Sequence, residues 1–137
     1  MNSVTQTAID DAALLAAIDE GFSGAPVVIL FGSVARGTAR ADSDIDIAVD
    51  AGRPLTVDER VATVEALALL TGRPVDLVDL HTAGEPLLGQ ILRHGRRLRA
   101  SDMQWGDLYA RHIYECTDFL PYRNRILEER RAAWIGK

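Results

Sequence analysis

Residues 32–46 read Gly32-Ser33-Val34-Ala35-Arg36-Gly37-Thr38-Ala39-Arg40-Ala41-Asp42-Ser43-Asp44-Ile45-Asp46, and what flanks them decides the architecture. Upstream, Pro26-Val27-Val28-Ile29-Leu30-Phe31 is short, apolar and β-branched, the pattern of a buried strand. Downstream, Ile45 to Val49 reads as a second strand. The residues between, 32–44, are small and polar, which suits a loop with one helical turn.

Working outward, residues 6–21 place Ile9, Ala13, Leu14, Ala17 and Ile18 at helical spacing, with acids opposite them and Gly21 and Gly24 at the end. On the other side, Thr56 caps a longer helix with Asp58 and Glu59 in its first turn. Val57, Val61, Val64, Leu67 and Ala68 form its expected stripe, and Gly72 and Pro74 close it. Val75 to Leu80 is a third strand, residues 84–94 a short helix, and Leu98 lies in a fourth strand at an edge. Ser101 and Gln104 resemble a capping box for a final helix whose stripe runs Trp105, Leu108, Tyr109, His112, Cys116, Phe119 and Ile126, with a kink expected at Pro121. The expected class is α/β with a mixed (α+β) sheet carrying packed helices. It forms one domain over residues 1–137, a core of 1–100 followed by a helical extension of 101–137.

Composition narrows the function. The chain has 137 residues, 47% hydrophobic and 26% charged, which is globular rather than disordered. Its 15 basic and 20 acidic residues give a net charge of −5, against a broad grip on nucleic acid. The single cysteine, the lack of a charged-then-apolar leader and the lack of an apolar run near ~20 residues lead to the expectation of a cytoplasmic protein without a membrane span.

The chemistry concentrates in the opening stretch. Gly32 lacks a Cβ, so a ligand can approach its backbone, and Ser33 adds a hydroxyl; a strand running into a helical turn there suits phosphate. Asp44 and Asp46 are two residues apart, so on a strand both carboxylates leave one face while Ile45, Ile47 and Val49 fill the other. Clustered carboxylates repel, and a divalent cation with oxygen ligands, Mg²⁺ or Mn²⁺, relieves them. A third acid comes from the strand at Val75, either Asp76 or Asp79; alternation does not choose between them. Three acids beside a phosphate loop make a two-metal phosphoryl or nucleotidyl transfer site. Arg36 and Arg40 lie in the same loop, as phosphate contacts or as solvated charges paired with Asp42. Arg93, His94, Arg96, Arg97 and Arg99 form a basic cluster that either protects an edge strand or docks an acidic partner. His81 and Cys116 are read as structural.

Gly32-Ser33, ten intervening residues, then Asp44-Ile45-Asp46 resembles the GSx₁₀DxD signature of the DNA polymerase β-like nucleotidyltransferase superfamily. With PVDLVDL at 74–80 and the short length, the chain resembles the minimal nucleotidyltransferase (MNT) branch, and within it the MntA-like antitoxins of HEPN/MNT toxin–antitoxin systems. The resemblance implies a minimal palm-like nucleotidyltransferase fold with a C-terminal helix. It assigns Asp44, Asp46 and Asp76 as catalytic and metal-binding, and Gly32 and Ser33 as triphosphate-binding; Arg36 joins them as a nucleotide contact. It further implies two Mg²⁺ ions, ATP as substrate, and transfer of AMP to a tyrosine of a cognate HEPN ribonuclease toxin. His112-Ile113-Tyr114 superficially matches the toxin's own R-x₄₋₆-H-x-Y motif, but no Arg stands at the required distance before it. Competing readings are a small-molecule nucleotidyltransferase of the aminoglycoside-modifying kind and an antitoxin that acts by binding alone.

Overall fold

The computed structural model describes residues 10–22, 24–37 and 43–117. Helix α1, Asp11–Gly21, starts at Asp10, whose Oδ1 accepts a hydrogen bond from the Ala12 N–H at 3.2 Å. Strand β1 is Val27–Phe31, and α2, Gly32–Arg36, is the single helical turn expected after it. Strand β2, Ile45–Asp50, begins where the sequence suggested and runs one residue further, so Asp44 stands immediately before the strand. Helix α3, Val57–Thr71, opens on a reciprocal box: Thr56 Oγ1 accepts from the Glu59 N–H at 3.1 Å and Glu59 Oε1 from the Thr56 N–H at 3.0 Å. Strand β3 (Val75–Asp79), helix α4 (Leu87–His94) and strand β4 (Arg96–Arg99) follow. Residues 102–117 form α5, opened by the expected Ser101–Gln104 bonds of 2.8 and 3.1 Å. The expected helical residues 6–9, Arg40, Asp42 and the kink at Pro121 lie outside the described residues.

The sheet is mixed, in the order β3-β2-β1-β4. β1 pairs antiparallel with both β2 and β4, whereas β2 and β3 run parallel with α3 as their crossover. Strand alternation divides the core into two layers. Val28, Leu30, Ile45, Ile47, Val49 and Leu77 face Leu14, Ile18 and Leu67 of α1 and α3. Val27, Ile29 and Ala48 face Leu88, Ile91, Leu92 and Leu108 of α4 and α5.

The expected stripe of α3 is corrected by the structure. Val57 and Val61 are exposed, and the buried face centres on Thr63 and Leu67. The reason is a close approach: a Cβ on Gly21 of α1 would lie 2.3 Å from Thr63 Oγ1. Two helices meeting through a glycine need no large aliphatic stripe, and the buried Thr63 hydroxyl is satisfied by donating to the Glu59 carbonyl at 2.7 Å. Among the described residues no helix is long and apolar enough to cross a membrane.

Candidate functional site

Register brings the acids together. Asp46 lies opposite Phe31 at the end of β1 and opposite Asp76 on β3. Because Ile45, Ile47 and Leu77 point to the α1/α3 layer, Asp46 and Asp76 leave the other face of the sheet. Asp44, one residue ahead of β2, is exposed beside them; the Ile45 N–H, donating to the Pro74 carbonyl at 2.8 Å, ties the two segments there.

Gly32 meets this cluster from the end of β1. Its φ is +75°, and a Cβ there would sit 2.0 Å from Asp46 Oδ2. Both the left-handed backbone and the contact exclude a side chain, so the carboxylate lies directly against the start of α2. Burial raises the Asp46 carboxyl above the ordinary carboxylate range; the charges of Asp76 and then Asp44 raise it further, and Arg36 pulls it back. Asp76, Asp44 and Arg36 thus all lie within electrostatic reach of the Asp46 carboxylate. The donor set is all carboxylate oxygen, which fits a hard divalent cation. Ser33 follows Gly32 in the first turn of α2.

Hydrogen bonding distinguishes Asp76 from Asp79. Asp79 is 6% exposed and lies on the α1/α3 side. Its Oδ2 accepts from the Leu55 N–H at 2.9 Å and its Oδ1 from the His81 N–H at 3.0 Å. It therefore anchors the loop before α3, while Asp76 is the acid facing Asp46.

A pocket of about 380 Å³ opens beside Gly32. Phe31, Gly32 and Arg36 line one side, and Leu87, Gln90, Arg93 and His94 of α4 the other. This separates the basic cluster into two parts. Arg93 and His94, grouped in the sequence with the edge strand, line the pocket instead, because they form the last turn of α4. Arg96, Arg97 and Arg99 remain on β4 and pair with Asp11, Asp102 and Asp19. The edge-protection reading fits those three. A basic last turn on a short amphipathic helix was the signal available for Arg93 and His94. His112 and Cys116, read as stripe residues, are half-buried, and His112 Nδ1 lies 2.8 Å from Glu85 Oε2.

Comparison with known proteins places this geometry. Residues 20–104 match the family described as Polymerase beta, Nucleotidyltransferase. Over 72 residues, 53% of the chain, the sequence is 40% identical to the protein adenylyltransferase MntA of Shewanella oneidensis. The aligned region spans about half, 52%, of that relative's length. A crystal structure of a toxin–antitoxin with AMP-PNP superposes with a TM-score of 0.77 at 26% identity, over 88% of this chain and 98% of the matched one. A tri-AMPylated Shewanella oneidensis HEPN toxin in complex with its MNT antitoxin superposes with a TM-score of 0.70 at 24% identity, over 87% and 93% of the two chains, and speaks for the fold alone.

Proposed function

Because the chain belongs to the polymerase beta nucleotidyltransferase family, matched over residues 20–104, we propose that it is a protein adenylyltransferase that silences a HEPN ribonuclease toxin by moving AMP from ATP onto a toxin tyrosine. The observation that carries the chemistry is the Asp46 carboxylate lodged against Gly32 with Asp76 opposite and Asp44 beside it. The likeness to an adenylyltransferase and to a toxin–antitoxin with an ATP analogue supports the acceptor and the partner.

In this reading the bare backbone at Gly32 and the hydroxyl of Ser33 receive the triphosphate, and Arg36 offers charge to its phosphates. Two Mg²⁺ ions on Asp44, Asp46 and Asp76 would supply the Lewis-acid charge for the reacting phosphorus and the departing pyrophosphate. The acceptor phenol oxygen forms the new bond to the α-phosphorus, the α–β anhydride bond breaks, pyrophosphate leaves, and the phenolic proton passes to solvent. The chain's own part is placement: the register of β2 with β3 fixes the spacing of Asp46 and Asp76, and the close approach of Gly32 to Asp46 would set the phosphates against them.

The test incubates the full chain with α-labelled ATP, Mg²⁺ and the product of the neighbouring gene. Label is expected on a tyrosine of that partner, and it falls on the order of a thousandfold with Asp44→Ala and Asp46→Ala together. Neutralisation of the toxin by that double variant at normal abundance would instead establish inhibition by binding alone. Label on an aminoglycoside without any protein partner would establish the small-molecule reading.

A further inference from the structure

We propose a second metal site, separate from the carboxylates, in which Glu85, His112 and Cys116 bind a single Zn²⁺ ion that fastens α5 to the turn before α4. The ligand-type atoms of these three side chains all lie within 4.8 Å of one another. Glu85 Oε2 is 2.8 Å and Cys116 Sγ 3.7 Å from the same atom, His112 Nδ1. His112 and Cys116 are four residues apart and so project from one face of α5, and Glu85 reaches them from 27 positions away in the chain.

The convergence on one nitrogen decides between readings. A nucleophilic relay needs the acid on one ring nitrogen and the thiol on the other; here both address Nδ1, so the trio is not built as a relay. A purely structural pair explains Glu85 with His112 but leaves the thiol beside a nitrogen that the carboxylate already engages. A cation at the common point satisfies all three lone pairs. Bonds of about 2.0 Å to nitrogen and oxygen and about 2.3 Å to sulfur, arranged tetrahedrally, set N···S near ~3.6 Å and N···O near ~3.3 Å. The observed 3.7 Å already fits, and the 2.8 Å contact needs to open by only about half an ångström.

The ligands are also held in place. Glu85 Oε1 accepts from the Gly89 N–H at 3.2 Å, which leaves Oε2 for the site. A Cβ on Gly89 would lie 2.5 Å from His112 Cε1, so the imidazole rests directly on α4. The Tyr109 ring meets it edge-on at 6.5 Å. The side chains of His112 and Glu85 are 19% and 20% exposed, close enough to solvent for an ion to enter and for water to complete four-coordination. Imidazole, thiolate and carboxylate select Zn²⁺, whereas the all-oxygen acid cluster suits Mg²⁺, so donor softness keeps the two ions apart.

The experiment titrates Co²⁺, a spectroscopic stand-in for Zn²⁺, into the full-length chain with excess Mg²⁺ present to fill the carboxylates. The expected result is a thiolate-to-cobalt charge-transfer band and tetrahedral d–d bands that saturate at one equivalent and vanish when Zn²⁺ is added. Cys116→Ser removes the charge-transfer band, and His112→Ala and Glu85→Gln each weaken binding at least about tenfold. Zn²⁺ also raises the thermal midpoint of the wild-type chain, and a chelator reverses the rise. A wild-type titration without the charge-transfer band overturns the proposal, whatever the variants do. So does a His112→Ala variant that keeps wild-type affinity, because the thiolate would then bind without the site.

Discussion

Asp44, Asp46 and Asp76 gather at one end of the sheet, while Arg96, Arg97 and Arg99 line its β4 edge. The two trios have similar numbers of charges and opposite electrostatics. On β4 each guanidinium meets a carboxylate from a neighbouring segment: Arg96 with Asp11, Arg97 with Asp102 at 3.0 Å, and Arg99 with Asp19 at 2.8 Å. Arg99 also donates to the Ala25 carbonyl at 3.0 Å, and Arg97 lies 5.2 Å from the centre of the Trp105 ring. In the acid cluster like charges face one another, with Arg36 as the counterweight at Asp46. The carboxyls record the difference. The hydrogen bond from Arg99 holds Asp19 below the ordinary range, while burial and its neighbours hold Asp46 above it. Paired charge serves the fold; clustered like charge, in the function proposed above, serves the ions it would hold.

The sharpest way to break this contrast is Gly32→Ala. The methyl would meet Asp46 Oδ2 in a left-handed backbone, so about 1–3 kcal/mol of stability should be lost together with adenylyl transfer, read by denaturant midpoint and by labelling. Next comes the pair of acids that strand alternation could not separate. Asp79→Ala leaves the Leu55 and His81 amides without their acceptor and should cost about 2 kcal/mol; Asp76→Ala should leave stability intact or improved while abolishing transfer. The smallest effect lies in pH. Asp19, lowered in the fold, contributes stability above the ordinary aspartate pKa and loses it as pH falls through the lowered value. Asp46, raised in the fold, contributes below the ordinary value and loses that contribution as pH rises through the raised one. Melting midpoints of the metal-free chain from about pH 3 to 7 should therefore show Arg99→Ala closing on wild type toward acid, and Asp46→Asn overtaking wild type toward neutrality. Parallel curves for both variants would mean that the two trios do not differ as described.

Much of the site was legible because strand alternation is a local rule. The spacing of Asp44 and Asp46 pointed both to one face without any knowledge of the partner strands; the structure has Asp46 in β2 and Asp44 just ahead of it. Asp76 against Asp79 was not legible from strand alternation, and only the family resemblance named Asp76, because the amides of residues 55 and 81 that engage Asp79 are brought up only by the folded chain. The face of α3 was misread for a related reason: a glycine on α1 set its position, and the apolar stripe was a weaker determinant than that close approach. The Glu85, His112 and Cys116 group spans two segments, and the four-residue spacing of His112 and Cys116 gives no hint of Glu85, 27 positions away. Caps, by contrast, were read correctly at Thr56 and Ser101, since each is complete within four residues.

Helix α5 carries a consequence of its own. Leu108 is buried among Leu88, Ile91 and Leu92, the Tyr109 hydroxyl donates to the Leu92 carbonyl at 3.0 Å, and Arg111 Nη2 donates to the Leu80 carbonyl at 2.6 Å. Peeling this helix away would strip the outer wall from one layer and orphan the backbone acceptors that terminate β3 and α4. Amides on both sides of that seam should therefore exchange their protons with solvent together, in one concerted opening, and the last described helix belongs to the same folding unit as the strands that carry the acids.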